Sequence, residues 1–368
     1  MVSATAIEAW RRAARLNAFA EFFEETASGR ANQPDLGIPT VDLALLGFDI
    51  DAMVFWDTHR RMWGPFDNHY FASIPFRLEE ECRLGSAILQ HGIDVWAREE
   101  RAATVYTLGA GAGTLSRVLA KAGDGRLRTL CCSPTDGNRH AFLAQRGSPY
   151  AHFFHGPFFD LTDRRYESDD HLRPFRDGYD VLLEDTTFQM YGADRKEQLS
   201  VIAPRIRRDG LLIQVHKILH PDRAVYAFRE RQKDEQFKPR YFSNAQIARK
   251  RRDVLMTMDD YQVDLRTSAA ALETYFSHSI ITWNSGNFYT IVSSNALPAL
   301  QRFVASMPAP ALPAAFCFEP LPLALVGKTP EPSGTWQWRA PRRSPFDEHR
   351  QYVVSPDCSR AGGDGDAR

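Results

Sequence analysis

Cysteine is scarce in this chain, and long apolar runs are missing. The five cysteines, at 82, 131, 132, 317 and 358, make an odd set with an adjacent pair inside an apolar run. A disulfide framework or a zinc knuckle does not have that form, so a reducing compartment and no metal site are expected. No stretch approaches the roughly 20 apolar residues of a membrane span. The N-terminus lacks the charged start and apolar core of a secretory leader, so the expectation is a cytoplasmic protein without a membrane partner. Net charge is missing too, with 45 Lys and Arg against 46 Asp and Glu. Without a global field, nucleic acid is not the expected partner, although local patches stay open.

What is present is length and alternation. The 368 residues suit one large domain with additions. Apolar runs at 104–108, 127–132, 152–155, 179–184 and 211–215 read as strands, with helical patterns after the first two and near 195–206. Two further strand candidates, 280–283 and 288–293, flank the hairpin turn "NSGN". The expected fold is therefore α/β, a Rossmann-like doubly wound, mostly parallel sheet of seven strands.

Additions surround that core. Residues 1–65 read as an N-terminal helical cap, 66–297 as the sheet domain with a charged helical insert at 220–260, and 298–368 as a proline-rich extension with a disordered end. Within the cap, 4–28 place Ile7, Trp10, Leu16, Phe19 and Phe23 near helical spacing. One amphipathic helix packed on the chain's own core is expected there, with a homodimer face or a substrate lid as alternatives.

The stretch "VYTLGAGAGTLSRVL" carries the chemistry, since Gly109, Gly111 and Gly113 allow a tight strand-to-helix turn and a ligand's approach to the backbone. A dinucleotide loop wants its third glycine at position 114, which is Thr114, and no Gly-Lys-Ser/Thr follows. Gly-x-Gly-x-Gly after an apolar strand instead resembles the class I S-adenosylmethionine methyltransferases. "LCCSPTDGNRHAF", "FFHGPFFDL", "GYDVLLED" and "IAPRIRRDGLLIQVHK" follow in the order of that fold.

"FDNHYFASIPF", "TTFQMYGADR" and "FKPRYFSNAQIARKRRDVLMTM" further resemble segments of the carboxy-S-adenosylmethionine synthase family, enzymes of tRNA wobble-uridine modification, over about 66–293. The resemblance implies S-adenosylmethionine or its carboxylated form as cofactor. It implies that Phe76 packs near the ligand, that Gly109, Ala110 and Gly111 meet its methionine end, and that Asp185 lies beside the sulfonium. It also implies that Arg251 pairs with an added carboxylate. Taken from the residues alone, Arg251 in "ARKRRD" is equally a cation on a solvated helix face.

Where such enzymes place acids at the first strand end, on the ribose and near the adenine amine, this chain has Thr107, Cys131 and Pro157. Cys132 and Ser133 neighbour the second of these, and Ser133 or Asp136 is the expected substitute. Glu184, Asp185, Thr186, Thr187, Gln189, His216 and Lys217 follow strands and should face one crevice. His216 and Asp185 are the candidate bases; for His216 the alternative is a core histidine satisfied by a backbone partner. Cys131 and Cys132 are expected to be inert core thiols. The hairpin residues Trp283, Asn284, Asn287, Phe288 and Tyr289, with Arg240, Tyr241 and Phe242, are either structural or the lining of an acceptor pocket.

Three functions follow as expectations. The first is methyl transfer to an O or N nucleophile of a small molecule. The second is the making or use of carboxy-S-adenosylmethionine, and the third is a catalytically silent binding module.

Overall fold

The computed structural model describes residues 2–327 and 336–343. Eight strands form one sheet: β1 (Ala103–Leu108), β2 (Leu127–Ser133), β3 (Ala151–His155), β4 (Tyr179–Asp185), β5 (Ile206–Lys217), β6 (His278–Ser285), β7 (Phe288–Ser294) and β8 (Leu323–Val326). Their order is β3-β2-β1-β4-β5-β7-β6-β8. The first five pair in parallel, while β7 enters antiparallel between β5 and β6.

The expected count of seven strands is corrected to eight among the described residues. The added strand is four residues long, lies in the proline-rich segment and pairs antiparallel with the outer edge of β6. Pro322 just before it blocks no ladder bond there, because prolines are compatible with a strand's entry and with sheet edges. The expected disordered end, 358–368, lies outside the described residues.

Side chains alternate along each strand, so the sheet has two buried faces. Val181, Leu183, Ile213 and Val215 join one core under the helices at 50–60, 77–99, 114–123 and 297–306. Leu182, Leu212 and Ile281 join the other, with Trp10, Phe158, Phe188 and Leu272. Covering on both faces explains why these strands read as continuous apolar runs.

The N-terminal segment is two helices, Ala4–Arg11 and Ala20–Ala27, where one was expected. Asn17 causes the break: its side-chain amide donates to the carbonyls of Arg11 and Ala13, in competition with the helical ladder. Both helices pack on this chain, with Trp10, Phe19 and Phe23 buried. The insert holds helices at 223–232, 244–250 and 256–259, joined through π turns at 233–237 and 251–255. Turns of this type recur at functional sites.

The helix Ile50–Arg60 docks on Arg77–Glu99 through a notch at Gly85. A Cβ there would land inside the ring of Phe55, which is itself buried and stacked on His59. Gly85→Val should therefore lower stability by about 1–3 kcal/mol in urea unfolding. Phe55→Ala in the same chain should recover part of that loss, because the two positions share one space; strictly additive losses would contradict the notch.

Candidate functional site

A cavity of about 140 Å³ opens where β1 and β4 end, at the place an open parallel sheet reserves for ligands. Gly109, Ala110 and Gly111 form part of its wall, with φ of +67° at Gly109 and +54° at Gly111. Protein atoms also demand these glycines. A Cβ on Gly109 would overlap the Thr187 side chain, one on Gly111 would stand 2.5 Å from the Phe66 ring, and one on Gly113 would stand 2.5 Å from Cys131 Sγ. The glycines thus close the chain on itself, with Gly111 N donating to Gly109 O at 2.9 Å and Gly113 N to Ala110 O at 2.7 Å.

A buried ion network spans the crevice. Arg77, at the start of the long helix, donates to Asp185 Oδ2 at 2.7 Å and lies 2.6 Å from Glu81 Oε2. The Tyr70 hydroxyl donates to Asp185 Oδ1. His59 Nδ1 accepts from Trp63 Nε1 at 2.8 Å, which leaves its other nitrogen, 3.5 Å from Glu81, as the protonated one. Burial works against both carboxylates. At Glu81 the charge of Arg77, with a hydrogen bond from His59, outweighs it and holds the group at about 2, whereas at Asp185 burial pushes the group up with Arg77 opposing. Thr186 next to Asp185, with φ of 51°, and Phe76 next to Arg77, with φ of 56°, hold left-handed backbones that are rare for such residues.

Two residues that line the cavity, Asn138 and Gln189, each carry a buried acceptor with no donor among the described residues. Asn138 donates from Nδ2 to Ser133 Oγ at 3.1 Å and leaves Oδ1 unpaired, and Gln189 Oε1 is unpaired as well. Among the described residues 22 buried side-chain polar atoms lack a hydrogen-bond partner, the amide oxygens of Gln232 and Asn287 included; those of Asn138 and Gln189 differ in belonging to residues that line the cavity. Asp67 supplies a carboxylate beside the glycine loop, accepting from Gly64 N at 2.7 Å and Thr114 Oγ1 at 2.9 Å. Over the turn after β2, Arg15 donates to Thr135 Oγ1 at 2.6 Å and Glu24 accepts from Gly137 N at 3.1 Å, both from the N-terminal segment.

Of the expected residues, the fold brings Thr107, Gly109, Ala110, Gly111, Asp185, Thr186, Thr187, Gln189 and Lys217 to the cavity. Others lie elsewhere. Phe76 packs among Phe237 and Phe316. Cys131 and Cys132 are buried, and burial pushes both thiols up, that of Cys132 to about 11. Ser133 serves its own turn by accepting from Thr135 N and Asn138, Asp136 lies toward His155, and Pro157 precedes a turn whose Phe158 packs on Trp10. Gly113 caps the helix at 114–123. Arg251 is exposed on a separate surface pocket, while Lys250, one position earlier, reaches the cavity. Of the hairpin and insert aromatics only Phe288 lines it. Tyr70, Arg77, Asn138, Lys233, Lys238 and Lys250 carry no spacing signal in the sequence that would mark them.

His216 and Glu184 occupy the opposite face from Lys217 and Asp185, because adjacent strand residues alternate. Among the described residues both ring nitrogens of His216 lack hydrogen-bond partners, and burial lowers its pKa to about 3. The expectation of a backbone partner for it is corrected, and it does not line the cavity. Glu184 Oε1 accepts from Thr187 N at 2.7 Å and Phe188 N at 3.0 Å and so holds the loop that carries Asp185 and Gln189. Among the described residues, no group of three His, Cys, Asp or Glu is placed to hold a metal, and no helix is long and apolar enough to cross a membrane.

No protein-family model matches the chain, and no curated protein does. Solved structures similar to it include an O-methyltransferase family protein from Burkholderia thailandensis, with 16% identity over 61% of this chain and 64% of that one and a TM-score of 0.37. Human N-acetylserotonin methyltransferase in complex with SAM has 10% identity over 78% and 70%, at 0.36. The plantazolicin methyltransferase BpumL in complex with SAH has 11% identity over 75% and 98%, at 0.41. The chain thus spans less than two thirds of the first of these.

Burial pushes the Glu184 carboxyl up from 4.5 to about 7. The folded state then holds this proton more tightly than the unfolded one. The resulting stabilisation is complete below about pH 4.5 and is lost as pH rises to about 7. Glu184→Gln keeps an acceptor for Thr187 N and removes the titration. Between pH 5 and pH 8 the wild type should lose about 2–3 kcal/mol more unfolding free energy than the variant; equal losses would contradict the shift.

Proposed function

We propose that the chain is an S-adenosylmethionine-dependent methyltransferase acting on an O or N nucleophile of a small molecule. The observation that carries this reading is the pair of donor-less buried acceptors, Asn138 Oδ1 and Gln189 Oε1, on two residues that line a cavity beside the Gly109–Gly111 backbone. Leaving a buried acceptor unpaired costs about 1–3 kcal/mol, and the hydroxyl and amine donors of an adenosine relieve that cost. Two amides would then do what a ribose-binding acid does elsewhere, which accounts for the tolerance of cysteine at 131 and 132.

Bound S-adenosylmethionine supplies a methyl group already activated on a sulfonium. This chain's residues would hold and shield it. Asn138 and Gln189 would accept from the adenosine, the peptides of Gly109–Gly111 would meet the methionine end, and Asp185 would stand near the positive centre, oriented by Tyr70 and Arg77. Phe22 and Phe23 from the N-terminal helices, with Val254, Leu255 and Met258 from the insert, line the same cavity and exclude water.

A binding module without catalysis is the second reading. What favours it is Trp10, with its ring 5.5 Å from those of Phe158 and Phe159, packed over the turn after β3 where adenine would be sought. The carboxylated cofactor draws no support from Arg251, which faces away from the cavity.

Calorimetric titration with S-adenosylmethionine and S-adenosylhomocysteine separates these readings. Both should bind, and Asn138→Leu and Gln189→Leu should each weaken binding by about 10- to 100-fold. Wild-type affinity in both variants would remove the cofactor from this cavity. No binding by the wild-type chain would leave the silent module.

A further inference from the structure

The cavity has a second wall that methyl transfer does not use. Lys217, Lys233, Lys238 and Lys250 all line it, and the first three are buried beside carboxylates. Lys217 Nζ lies 2.9 Å from Glu230 Oε2 and 3.3 Å from Asp259 Oδ1, Lys233 Nζ 2.5 Å from Glu230 Oε2, and Lys238 Nζ 2.7 Å from Asp234 Oδ1. Lys250 is different. Its Nζ donates to His69 Nε2 at 2.6 Å and to Ser73 Oγ at 2.7 Å, and among the described residues no carboxylate pairs with it.

Both partners are neutral acceptors by necessity. His69 Nδ1 meets the carbonyl oxygen of Asn32, which can only accept, so the ring proton sits on Nδ1 and Nε2 has a free lone pair. Ser73 spends its own proton on the carbonyl of His69 at 2.5 Å. Four amines therefore share three carboxylates, Glu230, Asp234 and Asp259, and the amine left over is on the cavity wall. Burial, and then repulsion from Lys238 and Lys233, holds the Lys250 amine well below its usual range, with Asp234 acting the other way. Lys250 is half-buried, and an ammonium in such surroundings is stabilised by an added anion.

We propose that Lys250, with Lys238, forms an oxyanion subsite in this cavity, and that the small-molecule acceptor therefore carries a carboxylate or phosphate group. The assignment to the acceptor rests on the methyltransferase reading above. Lysines are point charges with rotatable donors and serve either anion; of the buried arginines here, Arg77 is committed to Asp185 and Glu81, and Arg15, which lines the cavity, donates to Thr135 Oγ1.

The test is calorimetric titration of the full chain with inorganic phosphate and with benzoate, alone and with saturating S-adenosylhomocysteine. At least one anion should bind. Lys250→Met and Lys238→Met should each weaken it by about 10- to 100-fold, while both keep the wild-type affinity for S-adenosylhomocysteine, which reports an intact fold. Lys121→Met, on an exposed helix face, should leave anion binding unchanged. Binding of phosphate alone supports a phosphorylated acceptor, and binding of benzoate alone a carboxylated one. Failure of both anions, or wild-type affinity in both lysine variants, overturns the subsite. Should an anion bind and S-adenosylhomocysteine not, the subsite stands and the methyltransferase reading falls; should S-adenosylhomocysteine bind and neither anion, the subsite falls and the methyltransferase reading stands.

Discussion

The buried guanidinium of Arg77 is the constraint around which the site is arranged. It joins the first turn of the long helix to Asp185 at the carboxyl end of β4, and also to Glu81 one helical turn on. Removing one member of such a buried set leaves an uncompensated charge, at a cost of about 3–5 kcal/mol. The left-handed backbones at Phe76 and Thr186, one on each side of this bridge, sit where the surrounding contacts hold both ends in place. This contact ties the first turn of the long helix to the end of β4.

Charge divides the cavity into two unlike ends. On one side Asp185 and Glu81 share one arginine, with Tyr70 as an added donor to Asp185. On the other side the lysines outnumber their carboxylates, with Lys250 left on neutral partners. Low-dielectric walls strengthen both fields. On the proposed reading, a positive sulfonium would be placed at the first end and an anionic acceptor at the second.

The sheet is legible in the sequence because a sheet covered on both faces needs apolar runs, and seven such runs mark β1 to β7. β8 is not, because four apolar residues amid prolines carry no periodic signal. The glycine loop is legible as a turn, but its occupants, Thr187, Phe66 and Cys131, come from three distant segments. Asp185 and Lys217 can be found as polar residues at strand ends. Their neighbours Glu184 and His216 look equivalent in the sequence, yet side-chain alternation sends them to the other face, where Glu184 braces the loop behind the site. The resemblance points to Arg251 rather than Lys250, and a single helical step of about 100° separates the residue at the cavity from the one outside it. Asn138, deep in "SPTDGNRHAF", has no mark at all, since its role depends on an unpaired oxygen that only the folded chain reveals.

The central claim is that the unpaired oxygens of Asn138 and Gln189 await an adenosyl group. A crystal structure of the chain grown with S-adenosylhomocysteine tests it most directly. The account predicts density for the nucleoside between the glycine loop and the N-terminal helices, with ligand donors within hydrogen-bond reach of both amide oxygens. A structure in which those oxygens meet only ordered water or protein, with the nucleoside bound elsewhere or not at all, would contradict it.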